Sequence, residues 1–303
     1  MADAALATGD RTMRTVGSLV AEMRARLLPM LGADAESGAR ELLAAVADRP
    51  RHWPVMARDE PITSEEWRRA IDATARRARG APLQYAAGQA SFRHLTLDVD
   101  ERVLIPRPET EQLVDLVLRL VARGAPGGGT AVDVGTGSGA IALALASEGA
   151  FDRVIATDVS LDALAVAHAN VVRCAGQLRA PVELRHGSLL SAVPERGLGV
   201  VVSNPPYISL DEAASLPAGV RDWEPAVALF SGDGGMATTA ALIRSAARSL
   251  APGGLLAIEV DTRRAALAAE LLASHGGYAD VRVDRDLTGR ERFVAARRLE
   301  EQE

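Results

Sequence analysis

Apolar positions recur along this chain with several spacings, and each spacing predicts a different kind of element. Up to about Gly80 they fall at helical intervals: Val16, Leu19, Val20, Met23 and Leu27, then Leu42, Leu43 and Val46. Thr63-Ser64-Glu65-Glu66 ahead of Trp67 has the hydroxyl-then-carboxylate order of a capped helix start. The pattern then changes. Leu95, Leu97 and Val99 alternate with Thr96, Asp98 and Asp100, the period-two signature of a half-buried strand. Val103-Leu104-Ile105 is a second short apolar run, so a hairpin between two domains is expected here. Pro106 and Pro108 stop the strand, and Pro108 opens a helix over 109–123 that buries Leu113, Val117 and Leu120.

Beyond the glycine-rich segment 124–129, short apolar runs alternate with helical stretches. Strands are predicted at 130–134, 153–157, 181–185, 199–203 and 254–260, with helices between most of them. That alternation demands a mainly parallel sheet covered on both faces. Residues 279–283 and 292–296 lie closer together, with a turn at 287–289 that suits an antiparallel hairpin. The architecture predicted is a parallel sheet that ends in an antiparallel strand.

Composition narrows the possibilities. Hydrophobic residues at 48% and charged residues at 24% of 303 positions describe an ordinary globular chain. Aromatics are only 3%, so Ala, Leu and Val must build the core. No apolar run reaches the ~18–20 residues of a membrane span, and residues 1–13 lack the basic-then-apolar order of a secretory signal. The single cysteine, Cys174, makes neither an internal disulfide nor a thiolate cage, which predicts a cytoplasmic, metal-free protein. The net charge is −6 and every basic residue is arginine; no basic excess marks a nucleic-acid partner.

Val132-Asp133-Val134 runs into Gly135-Thr136-Gly137-Ser138-Gly139 and then into a helical stretch. Glycines let a backbone turn sharply against a ligand, and the helix N-terminus offers unpaired N–H groups. Asp158, at the end of the next predicted strand, has the spacing at which a carboxylate accepts the ribose hydroxyls of an adenosine compound. Gly135, Gly137 and Ala140 also satisfy the dinucleotide pattern G-x-G-x-x-G/A. Charge placement separates the two: a pyrophosphate gains nothing from a carboxylate beside the loop. S-adenosyl-L-methionine carries a sulfonium and an ammonium, and Asp133 stands where it helps hold that amino acid end.

The fourth predicted strand ends in Val202-Ser203-Asn204-Pro205-Pro206-Tyr207-Ile208. Two successive prolines fix two φ angles and force Asn204 out of the helical region. The turn then presents the Asn204 side-chain carbonyl and the Pro205 backbone carbonyl together. Two adjacent acceptors suit a planar –NH₂ group, and Tyr207 supplies a π-face for a flat group. An amide or exocyclic nitrogen is a weak nucleophile, so the predicted catalysis is positioning and preorganised acceptors, with no histidine base. The bland reading is a proline-stiffened loop with a capping asparagine.

With these blocks in view, the chain resembles the protein-(glutamine-N5) methyltransferases that modify peptide chain release factors, the HemK/PrmC family. The distinctive blocks are Pro82-Leu83-Gln84-Tyr85 with Gly88 and Phe92, and Val103-Leu104-Ile105-Pro106-Arg107-Pro108-Glu109-Thr110-Glu111. Trp223-Glu224-Pro225 with Ala228-Leu229, and Asp286-Leu287 with Gly289 and Arg292, extend the match over nearly the whole chain. The resemblance implies an α/β fold of the class I S-adenosylmethionine-dependent methyltransferases: Rossmann-like, with a mainly parallel seven-stranded sheet, a small N-terminal helical domain and a hairpin linker. The expected divisions are 1–80 for helical substrate recognition, 81–108 for the β-hairpin linker and 109–303 for catalysis. One glutamine side chain is too small to define a protein substrate, which is why recognition is assigned to the helical part.

By the same resemblance, Asp133, Gly135, Thr136, Gly137, Ser138, Gly139, Asp158, Ser188, Leu189 and Asn204 bind S-adenosyl-L-methionine. Asn204, Pro205, Pro206 and Tyr207 bind the substrate glutamine, with Asn204 and Pro205 catalytic. The partners implied are release factors, through their Gly-Gly-Gln loop, with no direct nucleic acid and no membrane. Two departures stand out. Gly187-Ser188-Leu189 replaces an acid that accepts the adenine amino group, and Asp261 and Arg264 stand where glycine and glutamine are common. Three other readings stay open: a methyltransferase of adenine or guanine amino groups in DNA or RNA, an NAD-dependent oxidoreductase, and a non-catalytic binding protein on the same fold.

Overall fold

The computed structural model describes residues 14–122 and 129–299. The leader reading of residues 1–13, and residues 124–128 of the glycine-rich segment, lie outside the described residues. The chain divides into two compact units between Gly88 and Gln89.

The first unit is helical. Helices α1 (Val16–Leu31), α2 (Ala35–Val46) and α3 (Ser64–Ala78) bury the stripe anticipated from spacing: Val16, Leu19, Val20, Met23 and Leu27 on α1 against Leu42, Leu43 and Val46 on α2. The predicted cap at Thr63 is formed: Glu66 N donates to Thr63 Oγ1 at 3.2 Å, and Thr63 N donates to Glu66 Oε2 at 2.9 Å. Such a cap is worth about 1 kcal/mol.

The second unit opens with an antiparallel hairpin, β1 (Gln89–Phe92) and β2 (Leu95–Asp98). This corrects the expectation that Leu95–Asp98 would pair with Val103-Leu104-Ile105. The partner precedes it, across Arg93-His94, with Arg93 at φ 54° in the turn. The Arg93 fork grips Glu148 at 2.5 and 2.6 Å, which holds that conformation. Val103 and Ile105 are buried outside the strands just described, as expected of a run that meets Pro106 and turns at once into the helix α4 (Pro108–Ala122). Phe92, Leu95 and Leu97 join the second unit's core.

That core surrounds a seven-stranded sheet, as the resemblance implied: β3 (Thr130–Val134), β4 (Arg153–Asp158), β5 (Val182–His186), β6 (Leu198–Ser203), β7 (Leu250–Glu259), β8 (Tyr278–Arg285) and β9 (Glu291–Arg298), in the order β5-β4-β3-β6-β7-β9-β8. Period-two alternation sends Ala131, Val200 and Leu255 to one face, under α4 and α5 (Ala140–Glu148). Val132, Val201 and Leu256 go to the other, under α7 (Ala237–Ser249) and α8 (Ala265–Ser274). Between α5 and α7 in sequence, α6 (Leu161–Cys174) packs on β2, β4 and β5. Its buried Asn170 ties the hairpin to the glycine loop, donating to Asp98 O at 3.0 Å and Ser138 O at 2.9 Å.

The sheet also corrects an expectation. The antiparallel strand does not lie at the edge: β9 is inserted between β7 and β8, and β8 is the edge strand. Phe293, Val294, Ala295 and Ala296 are all buried, as both faces of an interior strand must be. In β8, Arg282 and Asp284 keep the alternation of a strand with one polar face. Among the described residues no helix is long and apolar enough to cross a membrane, and no group of three or more His, Cys, Asp or Glu side chains is placed to hold a metal ion.

Candidate functional site

Strand order reverses between β3 and β6, the place where open α/β sheets form a crevice beyond the strand ends. A cavity of about 480 Å³ lies there, entirely within the second unit. Its wall brings together Gly135, Thr136, Gly137, Ser138, Asp158, Ser188, Leu189, Asn204, Pro205 and Pro206, ten of the thirteen residues anticipated from sequence. Asp133, Gly139 and Tyr207 lie outside that wall.

The glycine loop fits its turn only because Gly135, Gly137 and Gly139 adopt φ of 73°, 55° and 85°. Gly135 N and Thr136 N both donate to Thr157 O at 2.9 Å, so the loop is pinned to the end of β4. Asp158 completes the attachment. Its Oδ2 accepts from Gly137 N at 2.9 Å and its Oδ1 from Ser160 N at 2.9 Å, and each oxygen retains a lone pair. Gly187 N donates to Asp158 O at 2.9 Å, which carries the wall on to Ser188, an exposed residue at the rim, and Leu189, held at φ 53°.

Asp133 sits beneath this loop, fully buried. Its Oδ2 accepts from Thr136 Oγ1 at 2.6 Å and from Ala142 N at 3.1 Å, while Oδ1 has no partner. Burial pushes the carboxyl up to about 7 against the pull of those two hydrogen bonds.

The Asn-Pro-Pro-Tyr turn leaves β6 after Ser203, whose hydroxyl donates to Val134 O at 2.6 Å and so fixes β6 against β3. Asn204 Nδ2 donates to Thr110 Oγ1 at 3.1 Å, and Thr110 Oγ1 donates to Glu259 Oε2 at 2.8 Å. Glu259 is buried at the end of β7 and pushed up to about 7, burial outweighing the Thr110 hydrogen bond. Tyr207 is half-buried, and burial raises its phenol to about 12, so it stays protonated at neutral pH.

Beyond the turn, Ile208 N donates to Leu229 O and Ser231 N to Ile208 O, both at 2.9 Å, which brings Ala228 and Phe230 into the cavity wall. Arg107 Nη2 donates to both oxygens of buried Glu224, at 2.5 and 2.6 Å, and ties the start of α4 to that loop. Gly235, at φ 91°, lies so close to the Tyr207 backbone that a Cβ would stand 2.2 Å from its carbonyl oxygen. Arg264 braces the same loop from behind, through Gly234 O at 2.7 Å and Glu212 at 2.9 Å, and neither Arg264 nor Asp261 lines the cavity.

Sequence reasoning did not select Thr110, Glu259, Ala228 or Phe230 as site residues. Thr110 stood in a quoted block without a role, and its link to Glu259 spans 149 residues, which no local spacing encodes.

The chain is similar to known proteins along most of its length. Residues 18–88 match the family profile described as PrmC N-terminal domain, and residues 113–216 the one described as Methyltransferase small domain. A release factor glutamine methyltransferase of Deinococcus radiodurans is 38% identical over 280 residues, covering 92% of this chain and 97% of that protein. One from Gloeobacter violaceus is 42% identical over 228 residues, covering 75% and 76%. Among solved structures, a methyltransferase from Pyrococcus furiosus superposes with a TM-score of 0.51 at 18% identity, covering 78% of this chain and all of that one, a likeness of fold.

Proposed function

We propose a function from the premise that this chain belongs to the release factor glutamine methyltransferase family. It transfers a methyl group from S-adenosyl-L-methionine to the side-chain amide nitrogen of a release factor glutamine, and in our reading that glutamine is the one in the Gly-Gly-Gln motif. The observation that carries the residue assignment is the convergence, on one cavity, of the glycine loop, Asp158 and the Asn204-Pro205 acceptors.

The residues fit the methyl donor. Positive-φ glycines leave the loop backbone open to close approach, and the Asp158 carboxylate has lone pairs left for a ribose diol. Asp133, with one buried oxygen unpartnered, acts from beneath through Thr136 and the start of α5 on the amino acid end. Ser188 and Leu189 border the adenine end. When bound, S-adenosyl-L-methionine supplies a sulfonium-activated methyl group.

The remaining work belongs to the chain. Asn204 Oδ1 and Pro205 O accept the two N–H protons of the glutamine amide and hold its nitrogen in line with the methyl carbon. Because positive charge develops on that nitrogen during transfer, the same two acceptors stabilise the transition state more than the ground state. Pro206 stiffens the turn. Tyr207, outside the donor cavity, is assigned to the acceptor side as a ring contact. The release factor is recognised by surface beyond the pocket, for which we assign residues 1–80, with 81–108 as the linker and 109–303 as the catalytic part. The acidic net charge supports a protein partner without direct nucleic acid, and a substrate from translation supports a cytoplasmic setting.

Family membership favours the glutamine amide over the base-amino reading, and mass spectrometry tests it directly. A release factor incubated with the enzyme and methyl donor should gain one methyl group, about 14 Da, on the glutamine of its loop peptide, while a Gly-Gly-Ala variant should gain none. Equal methylation of both would refute the acceptor. At the adenine end, Ser188→Asp should hold or tighten donor affinity by up to about fivefold, since a charge-assisted acceptor is worth roughly 1 kcal/mol more than a hydroxyl. A large loss in calorimetry would place Ser188 away from the adenine.

A further inference from the structure

Asn204 can serve as an acceptor only if its amide is turned the right way, because oxygen and nitrogen at the end of that side chain differ in function but hardly in shape. We propose that Glu259, acting through Thr110, fixes the Asn204 amide with its carbonyl oxygen toward the acceptor nitrogen, so that Thr110 and Glu259 are positioning residues for methyl transfer. This inference rests on the function proposed above for Asn204.

Hydrogen-bond polarity sets the orientation. An ionised carboxylate only accepts, so the Thr110 hydroxyl must give its single proton to Glu259 Oε2, 2.8 Å away. Thr110 Oγ1 is then left with lone pairs alone for Asn204, and Asn204 Nδ2 donates to it at 3.1 Å. Turning the amide over would set Asn204 Oδ1 against Thr110 Oγ1, two acceptors with no proton between them. Thr110 is 5% and Glu259 1% exposed, so bulk water has little access to the bond between them. The elements that meet here come from three parts of the chain: the first turn of α4, the end of β6 and the end of β7. Arg107 and Arg292 favour the ionised carboxylate and Glu109 disfavours it, against a burial that holds the group near 7. At pH 8, above that value, the ionised carboxylate predominates and the relay has the polarity described.

The test uses the full-length enzyme at pH 8 with an intact release factor. Thr110→Val keeps the shape but removes both halves of the relay; kcat should fall at least about tenfold, with donor affinity changed less than about threefold. Thr110→Ser restores the hydroxyl and should recover most of the loss, which a purely packing role for the threonine methyl would not allow. Glu259→Gln, which can donate as well as accept, should fall between them. A readout independent of substrate is the Asn204 side-chain ¹⁵N–¹H pair, identified by its disappearance in Asn204→Asp. It should shift in Thr110→Val and Glu259→Gln and return toward its wild-type position in Thr110→Ser. Normal kcat in folded Thr110→Val overturns the proposal; should that variant not fold, normal kcat and an unmoved resonance in Glu259→Gln overturn it. If wild-type enzyme leaves the release factor unmodified, the proposed function fails, and the resonance alone decides the relay.

Discussion

Asn204→Ala should lower turnover on a release factor by about 10²-fold or more while the dissociation constant for S-adenosyl-L-methionine changes little. The substitution removes one of two aligned acceptors from the reacting nitrogen and leaves Pro205 O in place. It does not touch the glycine loop, whose anchors are Thr157 O and Asp158. The loss therefore belongs to kcat. Asn204→Asp keeps an oxygen at nearly the same position but cannot donate to Thr110, and it sets a full charge beside a sulfonium; an intermediate loss is expected. Tyr207→Phe should be mild, because a ring contact survives loss of the hydroxyl. Single-turnover methylation, with donor affinity measured separately by calorimetry, checks all three. Near-normal turnover by Asn204→Ala would remove the acceptor mechanism altogether.

Asp158→Ala should weaken S-adenosyl-L-methionine binding by roughly 10- to 150-fold, the equivalent of the ~1.5–3 kcal/mol that a hydrogen bond to a charged group contributes. The carboxylate already holds Gly137 N and Ser160 N, so the variant loses both the ribose acceptor and the brace that sets the loop. Asp158→Asn separates the two effects. Its amide oxygen can keep one of the backbone contacts while the charge is gone, so it should bind better than the alanine variant and worse than wild type. Calorimetric titration of donor into each variant gives the order. Unchanged affinity in Asp158→Ala would mean that the ribose is held elsewhere.

The parts of this site that could be read in sequence are those whose chemistry is local. Gly135 to Gly139 and Asn204 to Tyr207 each carry their geometry within a few consecutive residues, through positive φ in one case and paired prolines in the other. Strands β3 and β6 were readable because burial on both faces leaves a continuous apolar run, Val132 to Val134 broken only by Asp133, and Val200 to Val202. The position of β9 was also encoded, since Phe293-Val294-Ala295-Ala296 is such a run while β8 alternates with charges. Hairpin geometry alone does not say which strand faces the sheet, and the run was the signal that decides it. The strand Gln89–Phe92 had only the weak alternation of Ala90 and Phe92 with Gln89 and Ser91. The link between Thr110 and Glu259, and the ion pair of Arg107 with Glu224, exist only once distant segments are folded together, at separations of 149 and 117 residues. Arg107, Thr110 and Glu224 stand in blocks that the resemblance marks, but nothing local to them says which distant residue each one holds.

Because β9 lies inside β8, the order in which the sheet forms differs from the order in which the chain is made. When β8 leaves the ribosome it has no partner among the strands already present, since its ladder is with β9 alone. It must wait for its successor, with which a local hairpin can form in about microseconds once both strands exist. Until then β7 presents a bare backbone edge, the kind of surface on which nascent chains aggregate. That edge includes Glu259, which pairs with Phe293. In the folded sheet β9 covers that edge beside Glu259, so the C-terminal hairpin closes the backbone around the carboxylate to which we assign the aiming of Asn204.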